Sequence, residues 1–290
     1  MRILLFGKNG QVARCFQEEA SERHEVIALG RDDADLSQPD TAAAVIEKYA
    51  PEVIVNAAAY TAVDRAEAEK ELAALINTQA VREIARAAKI IGAHFIHLST
   101  DYVFDGGCEG RYHEDDTTNP LNIYGSTKLD GELAALEEFD QTVIIRTSWV
   151  FSEYGGNFVK SMLHLAGERD ALSVVDDQVG GPTAARDIAH AILMVAEKKQ
   201  RGAKGKGVYH LQGTPPISWA GFAQTIFDEA GKNVIVTPIA TSEYPTPAKR
   251  PLHTVLDCAR IERDFGISQP DWRIAVRQVI DALNKEGNLP

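Results

Sequence analysis

The chain has 290 residues, of which 44% are hydrophobic and 25% charged, so it is long enough and apolar enough to bury a sizeable core. Its 42 acidic and 30 basic residues give a net charge of −12, which argues against nucleic acid or an anionic membrane as a partner. The three cysteines lack disulfide or zinc spacing, and no segment suits a signal peptide or a membrane span. These features predict a soluble, cytoplasmic protein.

The first half of the chain alternates short apolar runs with helix-like stretches. The pattern predicts strands at 3–6, 26–29, 53–55, 95–98 and 143–145, and helices at 11–20, 41–49, 72–90 and 128–136. Apolar strands that alternate with helices are typical of a parallel sheet covered on both faces. The sequence therefore predicts an α/β, Rossmann-like, doubly wound fold.

After residue 150 this rhythm loosens into glycine- and proline-rich turns. Short strands are predicted at 209–211 and 234–236, and helices at 219–230 and 272–283, with Ser218 as the N-cap of the first of these helices. We expect residues 1–150 to form an NADP(H)-binding domain. Residues 151–290 should form mainly a smaller, loop-rich substrate lobe, from which some segments return to the first domain.

A glycine-rich turn follows the first predicted strand and opens the first helix. Gly7 permits a tight turn, Gly10 lets the backbone approach a pyrophosphate, and the small Ala13 allows close packing of helix on strand. The N-terminus of the helix would supply free N–H groups and the positive end of its dipole. The turn predicts a dinucleotide site, with a plain glycine turn as the alternative.

Residues after the second and third strands indicate which dinucleotide binds. Arg31 suits a 2′-phosphate and favours NADPH, although the nearby aspartates keep NADH possible. The small side chains of 57–59 would let the dinucleotide lie across the strand ends, although alanines buried against a helix would look the same. The predicted cofactor-binding residues are Gly7, Gly10, Gln11, Val12, Arg31, Asp35, Leu36, Ala57, Ala58, Ala59, Tyr60, Tyr124 and Lys128.

Three further residues predict proton-transfer chemistry. Thr100 ends the fourth predicted strand, while Tyr124 and Lys128 lie four residues apart and share one face of a helix. A lysine ammonium and the positive nicotinamide would favour the phenolate of Tyr124, whose ordinary pKa is about 10. Lys128 could also hold the nicotinamide ribose, and Thr100 could orient the reacting oxygen. These three are the predicted catalytic residues.

The combined motifs resemble the extended short-chain dehydrogenases/reductases and, within them, the dTDP-4-dehydrorhamnose reductases. The resemblance covers nearly the whole chain, and its carriers are 4–11, 55–59, 99–104, 124–128, 146–149, 157–158, Gln178, 181–183 and 250–251. In similar sugar-nucleotide dehydratases a glutamate follows the Thr-Asp pair, whereas here Tyr102 follows Asp101, so the elimination base is missing. The resemblance implies NADPH-dependent reduction of the C4 ketone of dTDP-4-dehydro-β-L-rhamnose, the last step of dTDP-rhamnose biosynthesis.

The resemblance also implies a set of substrate contacts. Trp149 would wall the sugar site, and Arg250 would bind the diphosphate through charge-assisted hydrogen bonds. A buried tryptophan and a solvated arginine are the alternatives for these two positions. The predicted substrate-binding residues are Thr100, Asp101, Val103, Phe104, Tyr124, Trp149, Asn157, Phe158, Gln178, Thr183 and Arg250.

Some members that the chain resembles hold Mg²⁺ between three glutamates at a dimer interface. The matching positions carry Cys15, Arg186 and Ala282, none of which offers the hard oxygen ligand that Mg²⁺ prefers. His94 and His97 lack a third ligand at metal spacing and indicate core or edge histidines. We therefore expect no bound metal, and a monomer or a dimer that forms without metal.

Two other functions stay open at the level of sequence. One is a reductase or epimerase of another nucleotide-linked 4-keto deoxysugar, and an epimerase would consume no net NADPH. The other is a non-catalytic regulatory subunit, because the β subunit of methionine adenosyltransferase resembles the same family. A pure binding protein has no need of Thr100, Tyr124 and Lys128, and their presence favours an enzyme.

Overall fold

The computed structural model describes residues 1–285. Its strands are β1 (Arg2–Phe6), β2 (Glu25–Leu29), β3 (Val53–Asn56), β4 (His94–Thr100), β5 (Val143–Thr147), β6 (Val150–Phe151), β7 (Ala171–Val175), β8 (Val179–Gly180), β9 (Thr183–Ala184), β10 (Gly207–His210), β11 (Ile217–Ser218) and β12 (Ile235–Ile239). Its α-helices are α1 (Gln11–Ala20), α2 (Thr41–Tyr49), α3 (Val63–Ala66), α4 (Lys70–Ala74), α5 (Ala80–Ile91), α6 (Ile123–Glu138), α7 (Phe158–Leu165), α8 (Ala185–Gln200), α9 (Trp219–Glu229), α10 (Ala259–Phe265) and α11 (Trp272–Lys285). Short 3₁₀ helices lie at Asp101–Val103 and Thr241–Glu243.

A parallel sheet forms the centre of the fold. Within the described residues it has six strands in the order β10-β5-β4-β3-β1-β2. The chain order reverses between β1 and β3, and in doubly wound sheets the ligand crevice lies at the carboxyl ends of the strands on either side of this point. The predicted α/β, Rossmann-like class is confirmed.

The strands from the first half of the chain could be predicted because they are buried and apolar. Every residue of β3 and of β5 is buried, as expected for strands with helices on both faces. Helices α1 and α2 have the predicted bounds, and α9 begins after Ser218, whose hydroxyl accepts a hydrogen bond from the Gly221 N–H at 3.0 Å.

The predicted single helix at 72–90 is wrong in detail, because a π-helical turn at Leu75–Gln79 separates α4 from α5. The wide turn places Asn77 in the interior. There its side chain accepts a hydrogen bond from the Tyr60 N–H at 2.8 Å and donates to the Thr127 hydroxyl at 3.1 Å. The π turn therefore ties the segment after β3 to helix α6.

The sequence pattern did not predict α7, α8, α10 or β7. Helix α8 packs along α1 and is apolar around most of its circumference, so its polar stripe, which includes Arg186, His190 and Glu197, is narrow. Strand β10 also comes from the second half and pairs in parallel with β5 at the edge of the sheet. The remaining second-half elements form their own apolar cluster, built chiefly on α7, α9 and α11.

Helix α6 approaches its neighbours very closely at two glycines. A Cβ added at Gly125 would lie 2.2 Å from the Tyr102 carbonyl oxygen, and one at Gly131 would lie 2.0 Å from that of Asn77. No side chain fits at either position without moving backbone. The two glycines thus set the distance between α6 and the segments that follow β4 and α4.

Candidate active site

A cavity of about 680 Å³ opens where the carboxyl ends of the parallel strands meet α1 and α6. Every predicted cofactor-binding residue lines it, from the Gly7 turn to Lys128. The volume lies within the range of small-molecule and cofactor sites. The structure therefore brings the whole predicted cofactor set together, while its contact with a cofactor stays a prediction.

The glycine turn has the backbone geometry that its sequence predicts. Gly7 has a φ of 94°, a left-handed conformation that favours glycine, and a Cβ there would lie 2.8 Å from the Ala58 nitrogen. Gly10 precedes α1 and offers no side chain to cap it. The first N–H groups of α1 are thus left for an anionic ligand, which is the arrangement of pyrophosphate sites.

Arg31 lies at the rim of the cavity with a largely exposed side chain. It makes a loose ion pair with Asp35 at 3.5 Å. Hydrogen bonds from Ser37 hold the pKa of Asp35 below its usual value, so the carboxylate stays charged beside the guanidinium. The arginine can leave this weak surface pair at little cost to meet a phosphate.

Two of the predicted catalytic residues, Tyr124 and Lys128, line the cavity, and Thr100 lies beside Tyr124. Thr100 ends β4, and Tyr124 lies in the first turn of α6, whose N-cap Asn122 accepts a hydrogen bond from the Gly125 N–H at 2.8 Å. Burial raises the pKa of Tyr124 to about 12, although the hydrogen bond with Thr100 lowers it. Tyr124 therefore holds its proton at neutral pH.

Lys128 lines the cavity one helical turn after Tyr124 but is itself almost wholly buried. Its Nζ donates to the Leu98 carbonyl at 2.6 Å and lies 3.2 Å from Nε2 of His97. Burial lowers the pKa of Lys128 to about 8, although the Glu132 carboxylate raises it. The expected lowering of the Tyr124 pKa by Lys128 is absent here, because burial of the phenol dominates and the amine is engaged with β4.

A buried ion pair lies behind these residues. Glu132 of α6 binds Arg146 of β5, with 2.6 Å between the Glu132 Oε2 and Arg146 Nη2 atoms, and both side chains are almost fully buried. The Ser99 hydroxyl donates to the same carboxylate. Helix α6 is therefore fixed to β4 and to β5 by charge-assisted hydrogen bonds.

Several predicted substrate residues surround an aromatic stack at the edge of the second half. Trp149 has a φ of 47° and stacks on Trp219, with 3.4 Å between ring centroids. Phe158 packs against the same Trp219, and Gln178 accepts a hydrogen bond from its indole N–H at 3.2 Å. Trp219 was not predicted as a site residue; its position directly after the N-cap Ser218 was the one available signal.

Other predicted substrate residues are engaged within the protein. Asn157 caps α7 and donates to Gln11 at 2.9 Å, which joins it to the cofactor side of the cavity. Arg250 is paired with Asp64 through two hydrogen bonds of 2.7 and 2.8 Å. Neither predicted role of Arg250, binding of the diphosphate or simple solvation, includes this ion pair, which links the last third of the chain to α3.

Three predicted substrate residues have buried side chains. The side chains of Val103 and Phe104 are fully buried in a small apolar cluster with Tyr112 and Leu256. Thr183 is also fully buried, and its hydroxyl bonds the Gly181 carbonyl and the Gly213 N–H. These side chains pack inside the protein, and contact of the three residues with a substrate stays a prediction.

Residues at the end of β5 and after it complete the cavity wall and were not predicted from the sequence. Thr147, Val150, Gly155 and Gly156 all line it. Within the described residues the Thr147 hydroxyl is buried without a hydrogen-bond partner, which marks it as a group available to a bound ligand. Its position at the carboxyl end of a buried strand is a signal that could have identified it.

The positions matched to metal ligands carry other chemistry. Arg186 of α8 donates hydrogen bonds to Glu18 at 3.2 Å and to Glu153 at 2.9 Å. Cys15 lies buried beside them, and burial raises the pKa of its thiol to about 12. Across residues 1–285 no three His, Cys, Asp or Glu side chains are grouped to hold a metal ion. In the same residues, no helix has the length and apolar character to span a membrane.

The sheet order, the glycine turn after β1 and the Tyr124–Lys128 pair in one cavity define a short-chain dehydrogenase/reductase of the extended type. A family model described as the RmlD substrate binding domain matches residues 1–285. The chain therefore belongs to that family, the dTDP-4-dehydrorhamnose reductases.

Relatives of known name agree over almost the full length. A dTDP-4-dehydrorhamnose reductase of Sinorhizobium fredii is 45% identical over 293 residues, which cover 99% of both chains. The crystal structure of such a reductase from Clostridium acetobutylicum is similar with a TM-score of 0.93 and 38% identity, over 98% of this chain and 100% of that one. The crystal structure of the Bacillus anthracis reductase in complex with NADP is similar with a TM-score of 0.91 and 35% identity, over 97% of this chain and 99% of that one.

Asp101 should make stability depend on pH. Burial raises its pKa to about 7, against hydrogen bonds from Thr254 and Thr100. The unfolded value is about 4, so between these two pH values the folded chain holds a proton that the unfolded chain has released. Stability is then lost as pH rises through this window.

We predict that Asp101→Asn removes this loss, because asparagine keeps an acceptor for Thr254 and carries no charge. Urea unfolding at about pH 5, 6, 7 and 8 should show that the free energy of unfolding of the variant rises relative to that of the native chain as pH rises. Asp130→Asn, on the exposed face of α6, is the control and should show no comparable trend. A difference in the free energy of unfolding between Asp101→Asn and the native protein that stays constant over this pH range would contradict the prediction.

Proposed function

We propose that the chain reduces the C4 ketone of dTDP-4-dehydro-β-L-rhamnose with NADPH and yields dTDP-L-rhamnose, the last step of dTDP-rhamnose biosynthesis. The observation that carries the proposal is that Tyr124 and Lys128 share one cavity with the Gly7 turn. The names of the full-length relatives support the same substrate. Neither an epimerase nor a regulatory subunit has an equivalent observation in its favour.

The cavity fits NADPH, with NADH as a weaker alternative. The uncapped N-terminus of α1 would hold the pyrophosphate, and Arg31 at the rim would meet the 2′-phosphate. Lys128 and the unpartnered Thr147 hydroxyl lie at the other end, beside Tyr124. The NADP complex of the Bacillus anthracis relative supports the same choice of cofactor.

The side chains around Tyr124 account for the proton half of the reaction. Bound NADPH supplies the hydride that adds to C4. Tyr124, which holds its proton at neutral pH, donates it to the ketone oxygen as negative charge develops there. Thr100 hydrogen-bonds the phenol and fixes its direction. Hydride and proton together convert the ketone into a secondary alcohol, so no elimination base is needed.

We assign the nucleotide-sugar site mainly to residues beyond 150 and the dinucleotide site to residues 1–150. Strand β10 comes from the second half of the chain but joins the sheet of the dinucleotide domain. The stack of Trp149, Trp219 and Phe158 offers flat apolar faces of the kind that bind sugar rings or a base. All three cysteines are free in the structure, which suits the reducing cytoplasm. The high acidic charge leaves nucleic acid and membranes as poor partners.

Tyr124→Phe should reduce kcat by 10²- to 10⁴-fold, the usual worth of general acid catalysis, while NADPH binding stays near normal. The loss follows because the ring remains and only the transferable proton is removed. Turnover is followed by the absorbance of NADPH with the 4-keto sugar nucleotide present. Tyr209→Phe, whose hydroxyl bonds Asp264 far from the cavity, is the control. A fall in kcat of less than fivefold would exclude Tyr124 as the acid.

Arg31→Asp should weaken NADPH binding by about 10- to 100-fold and shift preference toward NADH, because a charged hydrogen bond to the 2′-phosphate is lost. The measured quantity is the ratio of kcat/KM for NADPH and NADH. Arg201→Asp makes the same change of charge on an equally exposed arginine away from the cavity. An unchanged ratio in Arg31→Asp would assign this arginine to the surface alone.

EDTA should leave activity and sedimentation unchanged, since the Arg186 guanidinium occupies the space between Glu18 and Glu153 and would repel a cation. We propose a monomer or a dimer that forms without metal. Analytical ultracentrifugation with EDTA and with excess Mg²⁺ tests this. A dimer that dissociates on chelation and reforms with Mg²⁺ would refute it.

A further inference from the structure

A chain of hydrogen bonds runs from the backbone beside the cavity to the catalytic lysine. The Ala58 N–H donates to Asn56 Oδ1 at 3.1 Å, and Asn56 Nδ2 lies 3.2 Å from His97 Nδ1. His97 Nε2 in turn lies 3.2 Å from Lys128 Nζ. The Asn56, His97 and Lys128 side chains are all buried, so water does not interrupt the chain.

The first link fixes the orientation of Asn56. A backbone N–H can only donate, so the atom that faces Ala58 must be the amide oxygen. The amide nitrogen then faces His97 Nδ1 and donates to it. Turning the amide round would place its NH₂ group against the Ala58 N–H, two donors 3.1 Å apart.

The orientation of Asn56 in turn fixes the tautomer of His97. Burial holds the pKa of His97 well below its usual value, so the ring is neutral and carries one proton. Because Nδ1 accepts from Asn56, that proton lies on Nε2. The Nε2–H points at Lys128 Nζ, which must therefore present a lone pair.

A protonated Lys128 cannot satisfy the same chain. An ammonium has three donors and no acceptor, so Nε2 would have to accept and the ring proton would move to Nδ1. Nδ1–H would then oppose the NH₂ group of Asn56 at 3.2 Å. A neutral amine, by contrast, accepts from His97, donates to the Leu98 carbonyl and keeps one N–H for the cavity.

We propose that Lys128 is a neutral amine in the ligand-free site at mildly alkaline pH, and that Asn56 and His97 are positioning residues that set its charge and direction. As an extension that rests on the proposed function, Lys128 takes up a proton when it leaves His97 to engage NADPH. The ammonium is then formed where the phenolate of Tyr124 needs it after proton transfer.

The charged groups around Lys128 agree with this assignment. On its own helix Glu132 favours the ammonium, but that carboxylate is neutralised by Arg146 of β5. From β4 only His97 and the Leu98 carbonyl meet the amine, and Tyr124 holds its proton. Burial therefore lowers the pKa of Lys128 to about 8, so the amine is mostly neutral at mildly alkaline pH.

The tautomer can be read directly in the ligand-free protein by long-range ¹H–¹⁵N NMR of histidine-labelled chain. The His97 signals are identified by their loss in His97→Gln or their shift in Asn56→Asp. We expect Nε2 protonated and Nδ1 bare at about pH 9, where an amine whose pKa is about 8 is mostly neutral. A proton on Nδ1, alone or together with Nε2, would overturn the proposal, and this measurement needs neither cofactor nor substrate.

Asn56→Asp tests the coupling with an isosteric change. The carboxylate still accepts from Ala58 but must accept from His97 as well, so the ring proton should move to Nδ1 and Lys128 should become an ammonium. We expect the ¹⁵Nζ titration of Lys128 to rise by at least about one pH unit, a tenfold change in proton affinity. Asn77→Asp places a carboxylate at similar burial outside this chain and should leave the His97 tautomer unchanged.

A His97 proton that stays on Nε2 in folded Asn56→Asp would refute the coupling. If Asn56→Asp does not fold, the native spectrum alone decides the assignment. Calorimetry of NADPH binding at about pH 8.5, in buffers of different ionisation enthalpy, should show up to one proton taken up by the native protein and less by Asn56→Asp. Equal uptake would refute the extension. Failure of the proposed reaction would appear as absent turnover, with the NMR result unaffected.

Discussion

The buried ion pair between Glu132 and Arg146 is the interaction on which the catalytic geometry depends. Tyr124, Lys128 and Glu132 lie four residues apart, so they share one face of α6. The first two face the cavity, and the third is anchored to β5. Removing one partner of such a pair typically costs 3–5 kcal/mol, because the other charge stays buried alone. The position of the whole helix is therefore strongly constrained.

Close packing adds a second constraint on the same helix. Gly125 and Gly131 allow backbone contact with the segment after β4 and with the π turn. The ion pair fixes α6 toward the sheet, while the glycines fix it toward its flanking segments. The result is a rigid support on which two side chains meet the cavity at a set distance from Thr100, as preorganised proton transfer requires.

The parts of the fold and site that were predictable depend on neighbours in sequence. The Gly7 turn, the buried strands and the spacing of Tyr124 and Lys128 are local patterns, and each appears at its expected place. What could not be predicted depends on distant partners. Arg250 meets Asp64 across 186 positions, and the stacking of Trp149 on Trp219 joins the turn before β6 to the start of α9, which no periodicity connects.

The chemistry of the site shows the same division. The sequence predicts a catalytic role for Lys128 but gives no reason to associate it with His97, which it indicates only as a core or edge histidine. Only the parallel pairing of β3 with β4 brings Asn56 beside His97 in register. Likewise Val103 and Thr183 belong to motifs of the site, yet their side chains pack inward. Membership of a motif therefore does not establish contact with a ligand.

The π turn at Leu75–Gln79 also limits how the length of this chain can vary. A π-helical turn holds an extra residue relative to regular α-helix, and it commonly arises as an insertion within one. Deleting one residue there would restore regular winding and remove the wide turn that places Asn77 in the interior. The hydrogen bonds of Asn77 with Tyr60 and Thr127 would then be lost. Single-residue gaps are thus better accommodated in exposed loops such as 202–206 than in this helix.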